Sequence, residues 1–173
     1  MQRISGFFKR TVILWVILLY AILTIWMTFP LVSHMTDSVI GRIGDNIHFI
    51  WRLGWVKKAL FELHTNPFNV WFLNYPEGWN MAYTEITAAQ ILMGLPFTFI
   101  AGPTFAYNIV LMLTFVLSAL GMYLWVYRLS RNRFAAFIAG TAFAFSPYRM
   151  AHFLVGHRSE EHTSELQSRS DLV

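Results

Sequence analysis

The sequence predicts an all-α polytopic membrane protein with about three transmembrane helices and a long extracytoplasmic first loop that contains amphipathic surface helices. The first observation is composition: the chain of 173 residues is 56% hydrophobic and 17% aromatic but only 13% charged, a balance that a soluble domain could not hide from water. The second is a set of long apolar runs without charge. The third is that basic clusters flank these runs.

Composition also excludes several classes of function. The chain has no cysteine, so disulfides, thiolate catalysis and cysteine metal sites are excluded. The formal charge of +4 is clustered, with no acid inside either cluster. The clusters are Arg3, Lys9 and Arg10, then Arg128, Arg131 and Arg133. Basic residues that flank spans stay in the cytoplasm, so this pattern indicates membrane topology and no nucleic-acid partner.

The first transmembrane helix is predicted over residues 11–29, which would measure about 28 Å as a helix. Residues 1–10 then form a cytoplasmic basic N-terminus, and Pro30 lies outside the cell. A cleavable signal peptide is the competing interpretation. The run is long for one, and the bulky Trp26, Met27 and Phe29 stand where a cleavage site needs small residues.

Residues 30–85 are predicted to form the extracytoplasmic loop. Within 46–64, apolar residues recur at helical spacing, whereas His48, Arg52 and Glu62 fall on the opposite arc. We expect this interfacial helix to lie on the membrane, with Trp51 and Trp55 in the headgroup zone. Asn66-Pro67 should end it, and Tyr75-Pro76-Glu77-Gly78 should form a tight turn.

The rest of the chain continues the membrane pattern. Residues 86–101 are apolar but are interrupted by Gly94 and Pro96, and we interpret them as a re-entrant or interfacial segment. A second transmembrane helix is predicted over 104–127, followed by a cytoplasmic basic loop at 128–133. Residues 134–157 predict a third transmembrane helix, broken at Ser146-Pro147. Arg149 becomes a candidate site residue, because charge beside a broken helix faces protein or a water-filled cavity.

The last residues, 158–173, differ abruptly in composition because they are almost wholly polar. Residues 158–168 resemble a reading-frame translation of a common sequencing-library adapter. We therefore expect a non-native polar tail and a truncated protein. A disordered native terminus is the alternative.

A series of short motifs carries a resemblance to a known family. They are Thr28-Phe29-Pro30-Leu31, Gly44-Asp45-Asn46, Trp51 and Trp55, Asn74-Tyr75-Pro76-Glu77-Gly78, Gly94-Leu95-Pro96, Ala106-Tyr107-Asn108, Gly121-Met122-Tyr123-Leu124 and Phe143-Ala144-Phe145-Ser146-Pro147-Tyr148-Arg149. In this order and spacing, residues 13–157 resemble the N-terminal part of the C-type glycosyltransferase superfamily.

That resemblance implies transfer of a sugar from a polyprenyl-phosphate carrier to an acceptor at the outer membrane face. Asp45 matches the loop acid, which acts as general base or helps to hold a divalent cation. Arg149 would neutralise the carrier phosphate. Many family members have two adjacent acids where this chain has Asp45-Asn46, so a divalent cation stays open. The predicted partners are membrane lipid and a polyprenyl-phosphate-linked sugar.

Each candidate residue also has a structural interpretation. Asp45 stands where an N-cap of the loop helix would stand. Glu85, considered as a secondary acid, is also a favourable first-turn residue for the apolar helix that follows it. The histidines share no metal-ligand spacing, so no histidine metal site is predicted.

The alternative function is that of a non-catalytic multi-pass membrane protein, either part of a transporter or an assembly scaffold. Uncharged runs at 11–29 and 104–127 argue against a transporter, which needs ionisable groups near the midplane. As a truncated fragment, the chain is expected to be inactive.

Overall fold

The computed structural model of the chain describes residues 2–40, 44–83 and 88–155. Within those ranges the protein is mostly helical, as predicted. The helices are α1 (Gln2–Met27), α2 (Asp45–Phe61), α3 (Ala88–Ser130), α4 (Arg133–Ala144) and α5 (Pro147–Val155). Strands β1 (Asn69–Val70) and β2 (Trp79–Asn80) form an antiparallel pair, and short 3-10 helices cover Leu31–His34 and Met81–Tyr83.

The chain divides into two compact units. Among the described residues, unit 1 contains 2–33, 40, 44 and 111–155, and unit 2 contains 34–39, 45–83 and 88–110. The predicted non-native tail at 158–173 lies outside the described residues.

Helix α1 buries one narrow stripe in unit 1. Val16, Tyr20 and Thr24, together with Thr28 directly after the helix, recur every four residues and are buried. The hydroxyls of Thr24 and Thr28 each donate to the carbonyl four residues earlier, at 2.8 Å, so their polarity is satisfied within the helix. The opposite face exposes large apolar side chains: Leu14, Trp15, Leu18, Leu19, Ile22, Ile25 and Trp26.

Tyr20 joins α1 to α4 inside unit 1. Its ring stacks on Phe137 with 5.0 Å between centroids, and its hydroxyl donates to the Phe137 carbonyl at 3.0 Å. Gly140 lies beneath this ring, where a side chain would meet the Tyr20 hydroxyl and would approach the Ala119 carbonyl oxygen to 2.6 Å. Helix α4 can therefore approach α1 and α3 this closely only because residue 140 has no side chain.

Helix α3 contains a break between the predicted segments 86–101 and 104–127, whereas the expected interruption at Gly94 and Pro96 is absent from this helix. Gly94 and Pro96 remain within helical structure, and the backbone departs from helical geometry at Ala101 and Gly102 instead. Gly102 has φ 89, a left-handed value that glycine adopts without steric cost, and Pro103 then begins the next helical stretch. The two helical pieces are 88–100 and 103–130.

A short connection joins α3 to α4. Arg131 has φ 55, and the side-chain oxygen of Asn132 accepts from the backbone N–H groups of Phe134 and Ala135, which caps α4. Helix α4 ends at Ala144 and α5 begins at Pro147, because proline disfavours helical geometry in the residue before it. The interruption thus lies at the Ser146-Pro147 pair.

Helix α2 and the β1–β2 hairpin form the core of unit 2. Trp55, Ala59, Val70 and Met81 are buried together, with Trp51 and Trp79 packed against them. The indole nitrogen of Trp55 donates to the Pro67 carbonyl at 2.7 Å. Trp55 is therefore not a lipid-exposed anchor as the sequence suggested, because the loop folds on itself and buries the indole.

The surface of the hairpin carries the exposed aromatic residues instead. The turn after β1 closes with Gly78, whose φ is 75 and whose N–H donates to the Asn74 carbonyl at 3.0 Å. Exposed apolar side chains on this hairpin and its flanks are Phe68, Trp71, Phe72, Leu73, Tyr75 and Tyr83.

Among the described residues, α3 is long and apolar enough to cross a membrane, whereas the apolar part of α1, Thr11–Met27, is shorter. This result supports membrane association, with an apolar helix whose sides are largely uncovered by protein.

The contact at Gly140 generates a test of this packing. We expect Gly140→Ala to lower the free energy of unfolding by about 1–3 kcal/mol, because the added methyl group overlaps the Tyr20 hydroxyl and the Ala119 carbonyl. Gly121→Ala is the matched control, since nothing lies within 4 Å of an added carbon there. Thermal unfolding of both variants in detergent checks this, and equal midpoints for the two would contradict the packing.

Candidate functional site

Asp45 is exposed at the N-terminal end of α2. The helix begins at Asp45 itself, so the residue occupies the first helical turn and is not the residue preceding the helix. A carboxylate here interacts favourably with the positive end of the helix dipole. Its exposure leaves its oxygens accessible to a molecule from solvent.

Tyr107 is the electrostatic neighbour of Asp45 within unit 2. The Tyr107 ring also stacks on Phe49, with 6.5 Å between ring centroids and an interplanar angle of 20°. Phe49 in turn lies beneath Arg52, whose guanidinium carbon is 5.6 Å from the ring centroid. The first turns of α2 and the start of the 103–130 helix therefore meet through an aromatic pair beside the carboxylate.

Asn108, which follows Tyr107, holds a distant segment of the chain. Its side-chain nitrogen donates to the Met35 carbonyl at 2.9 Å and to the Ser38 carbonyl at 2.8 Å. The side chain has 0% exposure. Sequence reasoning gave this residue no role, although an amide within an otherwise apolar run was the signal available.

Asp37 belongs to the segment that Asn108 holds. It is exposed, and its carboxylate lies 3.5 Å from Nδ1 of His34. This pair is open to solvent on both sides, so its contribution to stability is small. Asp37 and Asp45 are thus two exposed carboxylates of the same unit with different neighbours.

Arg149 is half-buried in unit 1. Its Nη2 donates to the Thr114 carbonyl at 3.2 Å and to the Thr114 hydroxyl at 3.4 Å. The guanidinium carbon lies 4.7 Å from the centroid of Phe115, which itself stacks on Phe145 at 5.6 Å. In the part of the chain that the structure describes, no carboxylate forms an ion pair with Arg149.

The three residues that the sequence suggested as site residues are Asp45, Arg149 and Glu85, and the structure does not bring them together within one unit. Asp45 is brought together with Tyr107 in unit 2, and Arg149 with Thr114 and Phe115 in unit 1. Glu85, the suggested secondary acid, lies outside the described residues.

A metal ion finds few ligands in the described ranges. No group of three or more histidine, aspartate or glutamate side chains lies close enough there to hold one. An open groove of about 450 Å³ in unit 1 is lined by Ser118, Gly121, Met122, Trp125 and Phe143. It has no titratable side chain, so it lacks the groups that acid–base catalysis needs.

Comparisons with known proteins give no relative: no family model, curated protein or solved structure matches the chain.

The surroundings of Arg149 predict the effect of its removal. We expect Arg149→Met to change the free energy of unfolding by no more than about 1 kcal/mol, because the loss of one cation–π contact and of long hydrogen bonds is offset by relief of a partly desolvated charge. Chemical unfolding in detergent measures this. A loss well above 2 kcal/mol would show that Arg149 is needed mainly to hold the fold.

Proposed function

We propose that the chain is a polytopic membrane protein with a cytoplasmic N-terminus, an extracytoplasmic loop at 30–85 and a cytoplasmic basic loop at 128–133. The apolar outer face of α1 supports this, because Leu, Ile and Trp side chains at this density favour lipid over water. The exposed Arg128, Arg131 and Arg133, at and beside the connection from α3 to α4, support a cytoplasmic position for that connection. In this proposal three segments cross the membrane. They are α1, the 103–130 helix and the interrupted pair α4–α5.

In this topology Arg149 lies in the outer half of the membrane. Its partner Thr114 is about 24 Å along the helix from Ser130 at the cytoplasmic end. Ionisable side chains at such depth face protein or a water-filled cavity, and they usually serve function. The absence of a partner carboxylate in the described ranges suits an arginine that pairs with an anion such as a phosphate.

We further propose that the chain is the N-terminal part of a membrane glycosyltransferase. Asp45 would act as general base, and Arg149 would stabilise the leaving phosphate. The observation that carries the proposal is the exposed Asp45 carboxylate at the start of α2, beside Tyr107. The proposed topology would put this carboxylate outside the cell.

The chemistry follows from these roles. The acceptor hydroxyl loses its proton to the Asp45 carboxylate as its oxygen forms a bond to the anomeric carbon of the donor sugar. The bond between that carbon and the polyprenyl-phosphate oxygen breaks, and the phosphate takes the electron pair. A guanidinium stabilises the charge that develops on the phosphate, because its forked N–H groups match phosphate oxygens.

A non-catalytic scaffold is the second candidate, because Arg149 already has contacts to Thr114 and Phe115 in its own unit. An arginine used in this way would join helices and bind no substrate. Under the first proposal, activity belongs to the complete protein, and this chain by itself is inactive.

The topology is tested with single cysteines, since the chain has none of its own. Thr65→Cys and Leu129→Cys both replace exposed residues, the first in the loop and the second before the basic connection. We expect a membrane-impermeant maleimide to label Thr65→Cys in intact cells, and Leu129→Cys only after permeabilisation. Labelling of Leu129→Cys from outside, or protection of Thr65→Cys, contradicts the topology.

The catalytic role is tested with matched aspartates in the product of the complete reading frame. Transfer from a panel of polyprenyl-phosphate-linked hexoses is measured in membranes. Asp45→Asn should reduce the rate roughly 100- to 10,000-fold, because the amide cannot accept the acceptor proton.

Asp37→Asn is the control, because Asp37 is also exposed in unit 2 but pairs with His34. Its rate should stay within about twofold of the unmodified protein. Full activity of Asp45→Asn would remove Asp45 from catalysis. No transfer by the unmodified protein from any hexose in the panel would favour the scaffold.

A further inference from the structure

We propose that Asn108 is a positioning residue for Asp45. Its amide holds the segment His34–Val39, which precedes Asp45 in the chain, while the adjacent Tyr107 packs against the first turns of the helix that Asp45 begins. This inference rests on the proposed role of Asp45. The holding of the segment itself can be measured without any activity.

The hydrogen bonds of Asn108 determine which way its amide faces. Both N–H bonds of the side-chain nitrogen are used, one on the carbonyl of Met35 and one on the carbonyl of Ser38. A rotated amide would point its oxygen at two carbonyl oxygens, which cannot donate. The side chain therefore has one orientation, and it joins residues about 70 positions apart in sequence.

The oxygen of the same amide lowers the stability that Asn108 contributes to the folded protein. Oδ1 is buried and has no hydrogen-bond partner among the described residues. A buried acceptor without a donor destabilises the folded state, and a leucine of similar size would avoid that penalty. If Asn108 served only to fill space, leucine would serve better. Its value must lie in the two donors, which fix the segment.

Tyr107 anchors the other end of the connection to Asp45. Its ring stacks on Phe49 at 6.5 Å, one turn into α2, and its hydroxyl is close enough to Asp45 to interact with it electrostatically. Consecutive residues of one helix thus contact Ser38, through Asn108, and the first turns of α2, through Tyr107, all within unit 2. A change in the Asn108 bonds is therefore expected to reach Asp45 through Tyr107 and the start of α2.

Hydrogen exchange of residues 34–39 tests the anchor directly. Two variants are used: Asn108→Asp, which keeps the shape and loses the two donors, and Asn108→Leu, which adds no charge. We expect exchange in this segment to be about tenfold faster or more in both. Thr98→Val is the control, because Thr98 is also buried but donates only to Gly94 in its own helix, at 3.1 Å. It should leave the segment unchanged.

A second measurement asks whether loosening the segment reaches Asp45. In Asp45→Cys, the rate of alkylation by iodoacetamide as a function of pH reports the thiol pKa at the helix N-terminus. We expect Asn108→Leu to change the alkylation rate at neutral pH by about threefold or more, and Thr98→Val to have no such effect. A general loss of stability would change the alkylation rate of Asp45→Cys to the same extent in the Asn108→Leu and Thr98→Val proteins.

The outcomes separate this inference from the proposed function. Unchanged exchange in both Asn108 variants overturns the anchor, and faster exchange with an unchanged thiol profile overturns its effect on position 45. Faster exchange and a shifted profile, together with full activity of Asp45→Asn, would support the anchor and reject the catalytic role of Asp45.

Discussion

Among the described residues, backbone carbonyl groups accept the hydrogen bonds that the buried threonines and Asn108 donate, and the packing inside each unit depends on those bonds. Thr24, Thr28 and Thr98 donate to carbonyls of their own helices. Tyr20, Trp55, Asn108 and Arg149 donate to carbonyls elsewhere in their units. A chain with so few polar residues has few polar side chains to pair with one another, whereas every residue supplies a carbonyl with two lone pairs.

The two kinds of bond have different consequences. A threonine that bonds within its own helix satisfies its hydroxyl and fixes nothing else. A donor that reaches another segment fixes that segment at one point. Tyr20 holds α1 against α4, and Trp55 holds the chain at Pro67 against α2. Asn108 holds the segment His34–Val39. These long-range donors set the tertiary arrangement inside each unit.

The sequence predicted the features that depend on local periodicity and on proline. Helical character over 11–27, the loop helix and the interruption before Pro147 all follow from spacing or from a residue whose backbone is restricted. It did not predict the burial of Trp55, because periodicity cannot tell whether an aromatic face meets lipid or a hairpin of the same loop. The break at Ala101–Gly102 lies between the predicted segments 86–101 and 104–127, but the interruption predicted at Gly94 and Pro96 was wrong, because this proline is accommodated within the helix. The partners of Asn108 were unpredictable, since backbone carbonyls carry no sequence signature.

The two proposed site residues occupy environments that match opposite chemical needs. A general base must be reached by the acceptor and must return its proton, and exposure of Asp45 at a helix start allows both. A cation that stabilises a leaving phosphate acts more strongly where water is partly excluded, and Arg149 lies half-buried against Phe115. The same burial would penalise an arginine that never met an anion. Its long bonds to Thr114 compensate only part of that penalty, which favours a second, negatively charged partner.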